Sequence, residues 1–185
     1  MSISTKLVTA EEFAAMPDDG MFSELIRGEI VTVGPPAKQH GRLVARIGKL
    51  LSIRVEDAGK GVVVAGSGVI VSRDPDSVLA PDVAVYLGPV IAPIDEPQRY
   101  EETTLNIVFE VVSPSDSAAN VEDKVALHLE SGMKTVVVIW PRLKRLTVRT
   151  PLGDSSLSEG DLLTFADLPG INIAIDEMFS AALPA

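Results

Sequence analysis

Asp82, in Ala-Pro-Asp-Val-Ala-Val-Tyr, and Glu110, in Ile-Val-Phe-Glu-Val-Val-Ser-Pro, are single acids set in runs that otherwise read as buried β-strand. A carboxylate among apolar side chains is costly unless a cation or hydrogen bonds compensate it. Lys124 follows on a helix-like stretch. Two such acids and one lysine make a candidate divalent-metal site with a catalytic cation beside it, the equipment of metal-assisted hydrolysis. Each residue alone also has an ordinary reading. Glu110 could emerge into solvent at a strand end or cap the next helix, Pro-Asp pairs are frequent in turns, and most helix lysines are solvated.

Those residues need elements to carry them. Thr9-Ala-Glu-Glu12 reads as a capping box opening a short helix that Pro17 ends. Residues 22–33 predict two strands pivoting at Gly28, with Glu24 and Glu29 near the turn. Gly34-Pro35-Pro36 breaks the chain. Over residues 37–56, Leu43, Val44, Ile47, Leu50, Leu51 and Val55 recur at helical spacing, with Arg42, Arg46, Lys49 and Arg54 among the polar positions. Short β-rich runs at 61–65 and 68–72 precede the Asp82 strand. Residues 87–104 carry three prolines and little periodicity, which predicts a long loop acting as a lid or partner contact.

Residues 105–112 predict a central strand. Leu105, Ile107, Phe109 and Val111 point one way, and Asn106, Val108, Glu110 and Val112 the other. Both faces are mostly apolar, as in a strand covered on both sides. A turn at 113–116 leads into a helix at about 118–131, stopped by Gly132, on which His128 falls one turn after Lys124. Residues 135–140 form an apolar strand, with 145–149 as its hairpin partner. The tail, 162–165 and 171–175, adds strands or docks on a partner. The sum is one α/β domain over residues 1–185, in which a β-meander carries both acids and a crossover helix carries the lysine.

The chain lacks cysteine, so disulfides and thiolate metal sites are excluded. Its apolar runs are too short to span a bilayer, and the N-terminus lacks a signal-peptide core, so a cytoplasmic, non-membrane protein is the expectation. A net charge of −10 argues against a protein that coats nucleic acid electrostatically, without excluding an enzyme that holds metal in a cleft.

Taken together, these residues resemble the PD-(D/E)XK nuclease superfamily, and more closely its Uma-type branch of restriction-endonuclease-like proteins. Thr9-Ala-Glu-Glu-Phe, Glu24-Leu-Ile-Arg-Gly-Glu29, Pro35-Pro36 leading to His40, Pro81-Asp82-Val83, Glu110-Val-Val-Ser-Pro-Ser115, Lys124, Gly132, Leu168-Pro-Gly-Ile and Asp176-Glu-Met-Phe179 follow the branch nearly end to end. The resemblance implies a restriction-endonuclease-like mixed central sheet flanked by helices. It also implies a DNA endonuclease using Mg²⁺ or Mn²⁺, working as a homodimer with the apolar tail at 171–179 as a contact surface. Asp82 and Glu110 would hold the metal, with the Val111 carbonyl as a third ligand. Lys124 would position the water, Glu24 would be a further acid, and His40 would contact a phosphate, act as an acid, or simply cap its helix. Three positions depart from the pattern. Val112 stands where the superfamily usually has its lysine, which shifts that role to Lys124; His128 replaces a usual tyrosine, and Trp140 replaces an acid before Pro141. Such departures also suit a catalytically silent nuclease-fold protein used for binding or assembly.

Overall fold

The computed structural model describes residues 6–17, 19–88, 100–102 and 105–180. Most of the expected lid loop at 87–104 lies outside them.

Helix α1 (Ala10–Ala14) opens on the expected capping box, with the Thr9 hydroxyl accepting from the Glu12 amide and the Glu12 carboxylate accepting from the Thr9 amide. Strands β1 (Phe22–Ile26) and β2 (Glu29–Val33) pair as a hairpin, turning through Arg27 and Gly28 at positive φ. Helix α2 (Lys38–Leu51) continues as a π-helical turn at Ser52–Glu56. Strands β3 (Gly61–Val64), β4 (Val69–Ser72), β5 (Ser77–Leu79), β6 (Val83–Leu87) and β7 (Ile107–Val111) follow. Helix α3 (Ala118–Glu130) crosses from β7 to β8 (Thr135–Trp140). The chain closes with β9 (Arg145–Thr150), β10 (Gly153–Leu157), β11 (Leu162–Thr164), β12 (Asn172–Ala174) and α4 (Ile175–Phe179).

The central sheet has the order β10-β9-β8-β7-β6-β3, and β7 with β8 is its parallel pair. A second sheet, β2-β1-β5-β4, stands beside it. β7 is central and covered on both faces, as its apolar pattern predicts. Ile107, Phe109 and Val111 pack with Leu43, Ile47, Leu50 and Leu51 of α2. Val108 packs on the other face with Val121 and Val125 of α3 and with Val69 and Leu79 of the second sheet.

Several expectations change. Asp82 stands one residue ahead of β6, not within it. Strands β5 and β10 carry no sequence signal strong enough to announce them: β5 is three residues long, and β10, Gly-Asp-Ser-Ser-Leu, is held by pairing with β9. Arg46, expected on the polar face of α2, is buried and donates to the Glu177 carbonyl at 2.9 Å, because α4 folds back over that face. The tail is not a free contact surface: β11 and β12 pair with each other, and Ile171, Ile173, Ile175 and Met178 are buried in the α2-side core.

Phe109 sits at the centre of this arrangement, fully buried and meeting the Phe165 ring edge-on at 6.2 Å between centroids. Phe109→Ala is expected to cost about 3–5 kcal/mol of stability, read as a lower midpoint at unchanged slope in urea unfolding.

Candidate active site

The antiparallel register of β6 and β7 pairs Val83 with Phe109, so one step further along it sets Asp82 opposite Glu110. Directly opposed residues share a face of the sheet, and like charges there repel. Glu110 is on the face that α3 covers, Asp82 is reached by His40 of α2, and the structure surrounds both acids with compensating groups. The Asp82 Oδ2 accepts from the Val111 amide at 2.7 Å, and Oδ1 lies 2.9 Å from His40 Nε2. Glu110 Oε1 lies 3.0 Å from His128 Nε2, and His128 is fully buried. The chain has two histidines, and each engages one of the two acids.

Lys124 and His128, one helical turn apart on α3, both turn toward the sheet. The Lys124 ammonium meets Glu24 Oε2 at 2.5 Å. Glu24 comes from β1, where alternation puts Phe22, Glu24 and Ile26 on one face and sends Leu25 into the opposite core. It is only 5% exposed, and its Oε1 accepts from the Ala80 amide at 3.2 Å. Asp82, Glu110, Glu24, Lys124, His40 and Val111 all line one cavity of about 220 Å³. All six residues expected from the sequence thus converge. His128, given no firm role by sequence, anchors Glu110; Asp116, missed altogether, also lines the cavity while its Oδ2 accepts from the Ser113 amide at 2.7 Å. The turn composition Ser-Pro-Ser-Asp signalled the cap but not its position beside the acids.

Electrostatics at the site reflect burial against a surplus of negative charge. Burial pushes the Glu24 carboxyl up, and Glu110 adds to this, more than Lys124 pulls it down. Burial would lower Lys124, but the nearby Glu110 and Glu24 carboxylates outweigh it and hold its pKa above the ordinary lysine value. His40 is raised, first by its hydrogen bond with Asp82; burial opposes this, and the charges of Asp82, Asp116 and Glu110 add to it.

The donor set is oxygen-rich and hard, the chemistry that suits Mg²⁺ or Mn²⁺. Among the described residues, no group of three or more histidine or acidic side chains is gathered closely enough to cage a metal unaided. Mg²⁺ ordinarily takes one or two carboxylates and keeps several waters, and a carboxylate oxygen that accepts one hydrogen bond retains a second lone pair. Asp82 and Glu110 fit an ion held in that way.

A sequence model of the Uma2 family, described as "Putative restriction endonuclease", matches residues 10–176, and the chain belongs to this family. Among solved structures, a "putative nuclease belonging to DUF820" from Anabaena variabilis superposes with a TM-score of 0.82 at 18% identity, over 93% of this chain and 97% of that one. At that identity the likeness is one of fold, and the fold is the mixed central sheet flanked by helices that the sequence leads one to expect. A search of curated proteins gives no match. No helix among the described residues is long and apolar enough to cross a membrane.

Two outcomes follow from the charge arrangement. Lys124→Met leaves the buried Glu24 without its cation and is expected to cost about 1–3 kcal/mol; Glu24→Gln in the same chain should recover part of the loss, measured as a coupling in urea unfolding. Because His40 binds its proton more tightly in the folded state, its contribution is full below the ordinary value of 6.5 and fades as pH rises through the raised folded value. The stability gap between the wild type and His40→Gln, measured in EDTA, should therefore be wider at acid than at alkaline pH.

Proposed function

We propose that this member of the Uma2 family is a metal-dependent endonuclease that hydrolyses DNA phosphodiester bonds in the cavity bounded by β1, β7 and α3. The observation that carries this reading is the convergence of Asp82, Glu110, Glu24 and Lys124 on one cavity from four separate stretches of chain. Perturbed titratable groups gathered in a cleft are the usual mark of a catalytic site.

Asp82 and Glu110, with the Val111 carbonyl, would hold Mg²⁺ or Mn²⁺. When bound, the ion would lower the pKa of a coordinated water and offset charge on the phosphoryl oxygens. The protein's own groups supply the rest. Lys124 is kept protonated by its acidic neighbours, so it works as a hydrogen-bond donor to the attacking water, not as a base. Glu24, more basic than an ordinary surface carboxylate, is suited to take the proton the water sheds. His40 holds its proton firmly and can give a hydrogen bond to the phosphate or a proton to the departing oxygen. A water oxygen adds to phosphorus, one P–O ester bond breaks, and the leaving oxygen is protonated. His128 keeps the Glu110 carboxylate in one orientation throughout.

A second reading, a silent binding or assembly protein on the same fold, draws on the engagement of each acid by a histidine and of Lys124 by Glu24. The experiment that decides between them is incubation of supercoiled plasmid and circular single-stranded DNA with Mg²⁺ or Mn²⁺. Cleavage that drops roughly 10²-fold or more in Asp82→Asn, Glu110→Gln and Lys124→Met, each still folded by circular dichroism, supports the nuclease. No cleavage together with no Mn²⁺ binding supports the silent reading, and tight Mn²⁺ binding lost in Asp82→Asn counts against it. Cleavage indifferent to all three substitutions removes the assigned mechanism.

A further inference from the structure

Nucleic acids can be gripped by their phosphates or by their bases, and the surroundings of the cavity bear on which is used. Among the described residues lining it, the cationic or protonatable side chains are Lys124 and His40, and each is already paired with an acid. Four carboxylates, those of Glu24, Asp82, Glu110 and Asp116, line the same space, within a chain of net charge −10. Duplex binding draws heavily on many phosphate contacts with lysine and arginine, and this lining is poor in them.

The rim offers a different kind of contact. Phe22 lines the cavity at the start of β1 and is 65% exposed, while every other aromatic residue in the chain is buried or half-buried. The alternation of β1 puts its side chain on the same face as Glu24, two residues away. Across the hairpin, Val31 stands opposite Glu24 on that face and is also exposed. Val31 and Ile26 line a second recess of about 70 Å³ that shares Glu24, Glu110, Asp116 and Lys124 with the main cavity. An apolar wall ending in an exposed phenyl ring therefore runs alongside the acids. In a folded duplex the base faces are stacked on one another and closed to such a wall; in a single strand they are open to it.

We infer that the substrate is single-stranded nucleic acid, or an unpaired end or flap, and that Phe22 is its stacking platform and a specificity-determining residue. The inference rests on the nuclease reading but is read by binding alone, so the two can fail separately. Base–aromatic stacking contributes affinity that does not come from phosphate contacts.

The test is fluorescence anisotropy in Ca²⁺ with labelled oligothymidine, the same strand in a duplex, and an abasic strand of equal length. Oligothymidine is expected to bind more tightly than the duplex or the abasic strand. Phe22→Ala should weaken oligothymidine binding roughly 5- to 150-fold, the span for loss of one base–aromatic stack, and leave the duplex unchanged; Phe22→Tyr should retain it. As an exposed side chain, Phe22 can be truncated without threatening the fold. Oligothymidine binding unchanged in Phe22→Ala, or an equal loss on the duplex, overturns the inference. So does a Phe22→Ala protein that changes from dimer to monomer by light scattering with no selective loss, since the apolar wall is then a contact between copies. Absence of cleavage by a protein that shows the Phe22-dependent binding refutes the nuclease reading and leaves the stacking platform standing.

Discussion

The antiparallel pairing of β6 with β7 brings Asp82, one position ahead of β6, and Glu110 of β7 to one cavity, and the surrounding structure compensates both carboxylates. Asp82 is held by the Val111 amide and by His40, and Glu110 by His128. Lys124 adds a positive charge from α3, itself neutralised in part by Glu24 from the second sheet. Carboxylates inside a protein are tolerated where hydrogen bonds and a cation offset their charge.

The division of labour between the sheets follows from that constraint. The central sheet is covered by α2 on one face and by α3 on the other, and Asp82 and Glu110 are left only partly exposed. The small second sheet closes the open side, and its β1–β2 hairpin contributes both a charged residue, Glu24, and an apolar rim. Strands β1 and β7, helices α2 and α3, and two short connections carry the titratable groups, and pairing and packing hold them in place. The same burial that fixes Lys124 beside Glu110 and Glu24 also keeps it protonated, so its position determines the chemical part it can take.

Much of this was legible in the residues. The capping box at Thr9, the pivot at Gly28, the alternation of β7 and the helical spacing of α2 all rest on local periodicity or local hydrogen bonding, which a sequence states directly. Less local features were not. Arg46 looks like a solvent-facing residue of an amphipathic helix until α4, more than a hundred positions later, covers it. The apolar tail reads equally as a partner surface or as core, and only its packing against the α2 side decides for core. β10, rich in serine and glycine, is a strand because β9 lies beside it.

The sequence by itself determined that an acid beside one apolar strand, an acid within another and a lysine on the following helix occur in a fixed order, because strand alternation and helix spacing can be counted along a chain. It also determined that no metal held there could be bound by thiolate, since the chain lacks cysteine. The tertiary structure alone decided that Asp82 opposes Glu110, that the two histidines each take one acid, and that Glu24 reaches Lys124 across 100 positions of sequence. Those facts depend on register and on how two sheets meet, which are settled by the collective packing of the core and leave no mark on any single stretch of chain.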